Sequence, residues 1–180
     1  WSGNQNNGVL TNGPTWGVSD GRQALTLDGV GDYVQPVKPI NRLTGQATIT
    51  SVVYPTGLTV GKLGGIVKST TNSPTAGDFI LYVNNTTFGM ATWGTTAKRT
   101  ESTVAISNNN RWALSATYNA ATDVVRLFIN GTAVSTTTGS SFGSGWLTEY
   151  MIGRAYPGTS YCWAGSIMQV DLYDRVLADS

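Results

Sequence analysis

The chain has 180 residues, 40% of them apolar and only 12% charged, with a formal net charge of +1. The charged share is about half that of an ordinary globular protein, and Thr, Ser, Gly and Asn supply the missing polarity. That mixture favours strands and turns over helices, and the lack of a clustered basic stripe argues against a nucleic-acid partner.

No stretch approaches the ~20 apolar residues of a membrane-spanning helix, so membrane insertion is not expected. Histidine is absent, which removes the commonest general base and a favoured ligand for zinc and copper. Cys162 is the only cysteine, which excludes an internal disulfide and a cysteine-based zinc site. Between Tyr161 and Trp163 it reads as a small buried hydrophobe. The chain opens at Trp1 with neither Met nor a signal-like apolar core, which reads as a processed or excised piece.

In chain order, residues 1–22 read as loop, with Asn6-Asn7-Gly8 and Asn12-Gly13-Pro14 as turn signals. Gln23 to Leu27 and Tyr33 to Gln35 are short strands around Asp28-Gly29-Val30-Gly31, read as a hairpin reversal. Gln46 to Tyr54 alternates, with Ala47, Ile49, Ser51 and Val53 on one face. Gly64 to Lys68 is a short strand, and Asp78 to Val83 with Thr87 to Trp93 form a hairpin across Asn84-Asn85. Ser102 to Ile106 precedes the Asn108-Asn109-Asn110 turn. Arg111 to Tyr118 places Trp112, Leu114, Ala116 and Tyr118 on one face. Asp123 to Ile129 and Thr132 to Ser135 flank Asn130-Gly131, the strongest short-range hairpin signal in the chain. Ser135 to Gly145 reads as a long loop. Glu149 to Gly153 and Trp163 to Tyr173 are the last strands, and Asp174 to Ser180 begins one helical turn. Strands every 8–12 residues with turn residues between them mean an all-β sandwich or barrel. Residues 1–180 hold neither a repeat nor a dividing linker, so one domain is expected.

Four stretches resemble the laminin-G-like branch of the concanavalin-A-like lectin/glucanase superfamily. They are Asn6 to Pro14, Ala24 to Val34, Arg111-Trp112 through Asn130-Gly131, and Ile152-Gly153-Arg154 followed by Trp163 to Leu177. The second is similar to the family's "F-D-G-x-D-D-Y-V". The third is similar to "W-H-H-V-A-x-T-Y … L-Y-V-D-G", and the last to "I-G … F-x-G-x-I-D-E-V-R-I-Y-x-R-A-L". In the family's order they span nearly the whole chain. The resemblance implies a two-sheet antiparallel jelly-roll sandwich. It also implies a strand ahead of the opening loop, one that a parent protein or a neighbour would supply.

The superfamily includes glucanases, which makes catalysis a question for the residues. Retaining glycoside hydrolysis needs two carboxyl groups about 5–5.5 Å apart, a separation met by acids two apart on a strand. Glu101 and Glu149 have no acidic neighbour at that spacing, and Asp171 and Asp174 are three apart. No enzyme is expected.

Many members of the family bind calcium, and Asp28 and Asp32 flank a Gly-rich turn where a hard cation could collect carboxylates and carbonyls. Asp and Gly are equally plain turn formers. The chain also departs from the family at Gly31 and at Met168-Gln169, where acids are usual. For sugars, aromatic faces with nearby polar groups are needed. Trp112 and Trp163 read as core, leaving Trp93, Trp146, Arg154 and Tyr156 as ligand candidates, beside the alternative that they pack on loops or a partner.

Two readings follow. One is a non-catalytic, extracellular or surface-displayed module that binds a glycan or a protein surface. The other is an assembly module, such as a phage or virus capsid-decoration or fibre domain, whose partners are other subunits of a particle or a parent chain.

Overall fold

The computed structural model describes residues 7–37, 45–59, 62–69, 78–93, 97–139, 150–156 and 161–178. These carry fourteen strands, numbered in chain order, and no helix. The first sheet runs β1 (Gly8–Thr11), β4 (Tyr33–Pro36), β13 (Tyr150–Ile152), β6 (Leu63–Ser69), β7 (Asp78–Asn84), β8 (Thr87–Trp93), β9 (Ala97–Ala105). The second runs β12 (Thr132–Thr138), β11 (Val124–Ile129), β10 (Trp112–Asn119), β5 (Gln46–Pro55), β14 (Ala164–Tyr173), β3 (Arg22–Asp28), β2 (Thr15–Ser19). Neighbours pair antiparallel, and the two sheets form the expected jelly-roll sandwich.

Alternation along each strand builds the core. Ala47, Ile49 and Val53 of β5, Leu114, Ala116 and Tyr118 of β10, and Phe79, Leu81 and Val83 of β7 all point between the sheets and are buried. Burying the Ile, Val, Leu and Phe side chains among these stabilises by about 1.5–3 kcal/mol each. Trp163 is fully buried in the same cluster, and Trp112 packs against it half-buried.

Several turns form as their residues demand. Asn130 and Gly131 take φ of 51° and 81°, the left-handed pair of a tight hairpin between β11 and β12. The β7–β8 turn falls one residue later than expected, on Asn85 and Thr86.

The structure corrects four readings. Residues 8–11 and 15–19 are not loop: they form β1 and β2, which switch sheets across Asn12-Gly13-Pro14. Both are edge strands, too short and too broken by turn residues to show a period. The Asp28–Gly31 reversal is not a hairpin, because β3 and β4 belong to opposite sheets and do not pair. It is a corner that carries the chain across the sandwich. β9 and β12 run longer than expected, β12 reaching Thr138 into the Ser-Thr run. Residues 174–178 form no helical turn.

Candidate functional site

The outer face of the first sheet carries a second, smaller apolar cluster of Ile80, Tyr82, Ala91 and Ala155, with Leu63 and Tyr156 against it. Strand register explains it. Residues alternating with Phe79, Leu81 and Val83 must point away from the core, and pairing aligns them into rows. One row is Lys68–Ile80–Ala91–Arg99, the other Gly65–Tyr82–Gly89–Glu101.

The second row is shaped by its glycines. A Cβ on Gly89 would lie 2.7 Å from Tyr82 Cζ and 2.8 Å from its hydroxyl oxygen. The Tyr82 ring therefore lies across Gly89, and its hydroxyl donates to Glu101 Oε1 at 2.8 Å. Burial first, then Glu101, hold the Tyr82 phenol far above its ordinary pKa, so it remains a donor. On the other side, a Cβ on Gly65 would lie 2.4 Å from the Ala155 amide nitrogen. The bare strand lets residues 154–155 lie directly on the sheet.

That segment forms the wall of a groove. Gly153 (φ +89°) turns the chain out of β13, and a bridge between Arg154 and Cys162 joins its two limbs. Arg154 Nε donates to the Tyr156 carbonyl at 2.7 Å, and its guanidinium sits 5.1 Å from the centre of the Tyr33 ring. Tyr156 and Tyr161 meet edge to face, centroids 5.2 Å apart. Beneath them Lys68 is fully buried, donating to the Ser69 carbonyl at 2.7 Å, with Nζ 5.5 Å from the Tyr156 ring centre. Leu63, Ile80, Tyr82, Ala91, Arg99, Tyr156 and Tyr161 enclose about 220 Å³.

Of the four residues proposed from sequence as ligand contacts, Tyr156 lines this groove. Arg154 braces the wall rather than lining it. The backbone of Trp93 ends β8, two residues beyond Ala91, and Trp146 lies outside the described residues. Tyr82, Arg99 and Tyr161 also line the groove and were not among those four. The signal for Tyr82 was its alternation with the core residues of β7. Nothing local marks Arg99.

Asp28 and Asp32 sit at the corner between β3 and β4. The Val30 amide donates to Asp28 Oδ1 at 2.6 Å, and the Asp28 amide to Asp32 Oδ2 at 3.1 Å. Both acids thus work as acceptors that fix the corner. Asp32 is 3% exposed and its Oδ1 has no hydrogen-bond partner, so that atom and Asp28 Oδ2 are the ones that would hold a cation. They are two of the six to eight oxygens that calcium takes. Among the described residues no third His, Cys, Asp or Glu joins them. Nearby, Cys162 is buried, which raises its thiol pKa against the opposing influence of the Gly31 backbone and the Arg154 charge.

Among the described residues no group of three or more acids gathers elsewhere. Glu101 lies on the first sheet, bonded to Tyr82. Asp171 lies on the second, accepting from Thr50 at 3.1 Å and from Gln169. Glu149 lies outside the described residues. Among those residues no helix is long and apolar enough to cross a membrane.

Solved structures share this architecture at low identity. Domain 4 of AbnA, a GH43 extracellular arabinanase from Geobacillus stearothermophilus, in complex with arabinotriose, is 16% identical (TM-score 0.75), over 96% of this chain and 84% of that one. The CBM40 of the Ruminococcus gnavus IT-sialidase, bound to α2,3 sialyllactose, is 16% identical (TM-score 0.67), over 87% and 92%. The heptameric SAP-like pentraxin of Limulus polyphemus is 12% identical (TM-score 0.66), over 92% and 76%. No curated protein matches the chain significantly by sequence. Residues 28–180 match a laminin-G family model, and the chain belongs to the concanavalin A-like lectin/glucanases superfamily.

Proposed function

We propose that the chain is a non-catalytic carbohydrate-binding module that takes a sugar in the groove on the outer face of its first sheet. The observation that carries this is a groove walled by the accessible rings of Tyr156 and Tyr161 beside the guanidinium of Arg99, with Tyr82 buried in its floor. Aromatic faces cover the C–H surface of a sugar ring while a few polar groups fix its hydroxyls. Two of the structural relatives, the R. gnavus module and the arabinanase domain, are described with bound oligosaccharides, which supports the reading. A module of this kind serves adhesion where glycans are displayed, outside the cell or on a particle surface. A glycan array probed with the wild type and with Tyr156→Ala tests it. Saturable hits that disappear in the variant support the groove, and hits that survive it place binding elsewhere.

A second reading, assembly into a virion or fibre, is favoured by one observation. Edge strand β2 carries no charged residue, and its Trp16 and Val18 are each 69% exposed. Register puts Trp16 opposite Leu25, on the side of the sheet that elsewhere forms the core. Edges of this kind invite strand addition and are normally guarded by charge. Light scattering of the wild type against Val18→Lys tests it. An assembly that dissociates in the variant supports the reading, and a monomer in both across the accessible concentration range removes it.

A further inference from the structure

We infer that the groove selects a terminal sugar ring bearing an oxyanion, carboxylate or sulfate, with Arg99 as the residue that reads it; this rests on the glycan reading above. The argument begins with what the charged groups are already doing. Lys68 is fully buried beneath Tyr156, donating to a backbone carbonyl. Glu101 accepts from the Tyr82 hydroxyl, which burial and Glu101 keep protonated. Arg99 is exposed and lines the groove, and its side chain makes no hydrogen bond or ion pair with any described residue. Among the described residues the two rows therefore carry two cations and one carboxylate, and Arg99 is the cation with no hydrogen-bond or ion-pair partner among them.

A guanidinium presents paired N–H donors in a planar fork that matches an oxyanion bidentately. For a neutral hydroxyl it offers no comparable advantage. Its place in the register matters as well. Arg99 continues the row Lys68–Ile80–Ala91, whose other members are buried, so it is the member of that row that solvent reaches. An acidic group at the Arg99 end of the groove would meet the guanidinium while the ring lies against Tyr156 and Tyr161.

The size of the groove sets the rest. About 220 Å³ falls below the roughly 300–1,000 Å³ of pockets for drug-sized ligands. One sugar ring fits that space and a run of rings does not, so recognition is of a chain end.

The test is an array of matched glycans ending in neutral hexose, hexuronate, sialic acid or sulfated hexose, probed with wild type, Arg99→Gln and Arg22→Gln. Arg22 is exposed on β3 of the other sheet and controls for net charge. The expected result is that acidic termini bind the wild type and Arg22→Gln about tenfold or more above their neutral partners, while Arg99→Gln loses that preference. The carboxylate and sulfate arms identify which oxyanion is read. Neutral termini bound as well as acidic ones, or an acidic preference that survives Arg99→Gln, would overturn this inference and leave the carbohydrate module standing. A blank array on folded protein, judged by an unchanged cooperative melt, would overturn both.

Discussion

The ammonium of Lys68 lies 5.5 Å from the centre of the Tyr156 ring, inside a side chain that is fully buried. The groove wall is thus supported from beneath by a charge that solvent does not reach. Replacing Lys68 by Met keeps the stem volume but removes the donor to the Ser69 carbonyl and the cation under the ring. Urea unfolding is expected to show a loss of about 1–3 kcal/mol. Calorimetry on the strongest array hit is expected to show weaker binding in the same variant. In Tyr156→Phe, which keeps the ring, affinity is expected to stay within about threefold of wild type, a difference of under 1 kcal/mol.

The contact between Tyr82 and Gly89 makes a coupled pair. Gly89→Ala places a methyl 2.7 Å from Tyr82 Cζ and is expected to cost about 1–3 kcal/mol through overpacking. In a Tyr82→Ala background the same change meets no ring and is expected to cost little. A double-mutant cycle by chemical denaturation measures the difference. Additive effects would show that the ring does not lie across the glycine.

Three buried acids of the weak kind set an alkaline limit. Tyr82 and Tyr150 are raised from 10.0 by burial, and Cys162 from 9.0. The unfolded chain releases these protons at the ordinary values while the folded chain retains them. The unfolded state then binds fewer protons, and stability falls as pH rises, by about 1.4 kcal/mol per pH unit for each group. Unfolding free energy is expected to decline from pH 9.0 upward and more steeply beyond 10.0. Tyr82→Phe is expected to flatten the steeper part.

At the corner, Asp28 and Asp32 each accept a backbone amide, and two carboxylates alone fall short of a calcium shell. Melting curves in millimolar calcium and in chelator are expected to coincide. Asp32→Ala is expected to cost about 1–3 kcal/mol in both. A midpoint that rises with calcium in the wild type and not in the variant would place a cation there.

Legibility differs between the fold and the site for physical reasons. Alternation is a local property, so β5 and β10 were readable from Ala47 to Val53 and from Trp112 to Tyr118, and the Asn130-Gly131 turn followed from its positive φ. Sheet membership is not local. The Asp28–Asp32 segment has the residues of a hairpin turn, yet its strands pair with β14 and β1 instead. The groove is less local still. Arg99 shares the groove with Tyr156 only through the pairing of four strands, and what aligns them is register that no single segment carries. Tyr156 was a candidate because it adjoins Pro157-Gly158, turn residues in the sequence.

Strand β7 divides its labour by parity: Phe79, Leu81 and Val83 hold the sandwich together, while Ile80 and Tyr82 floor the groove. Stability and recognition are therefore written in alternate letters of one segment. Because Ile80 and Tyr82 are themselves buried, a lineage that revises the outward letters alters the groove and the packing beneath its wall together, while the inward letters stay as they are.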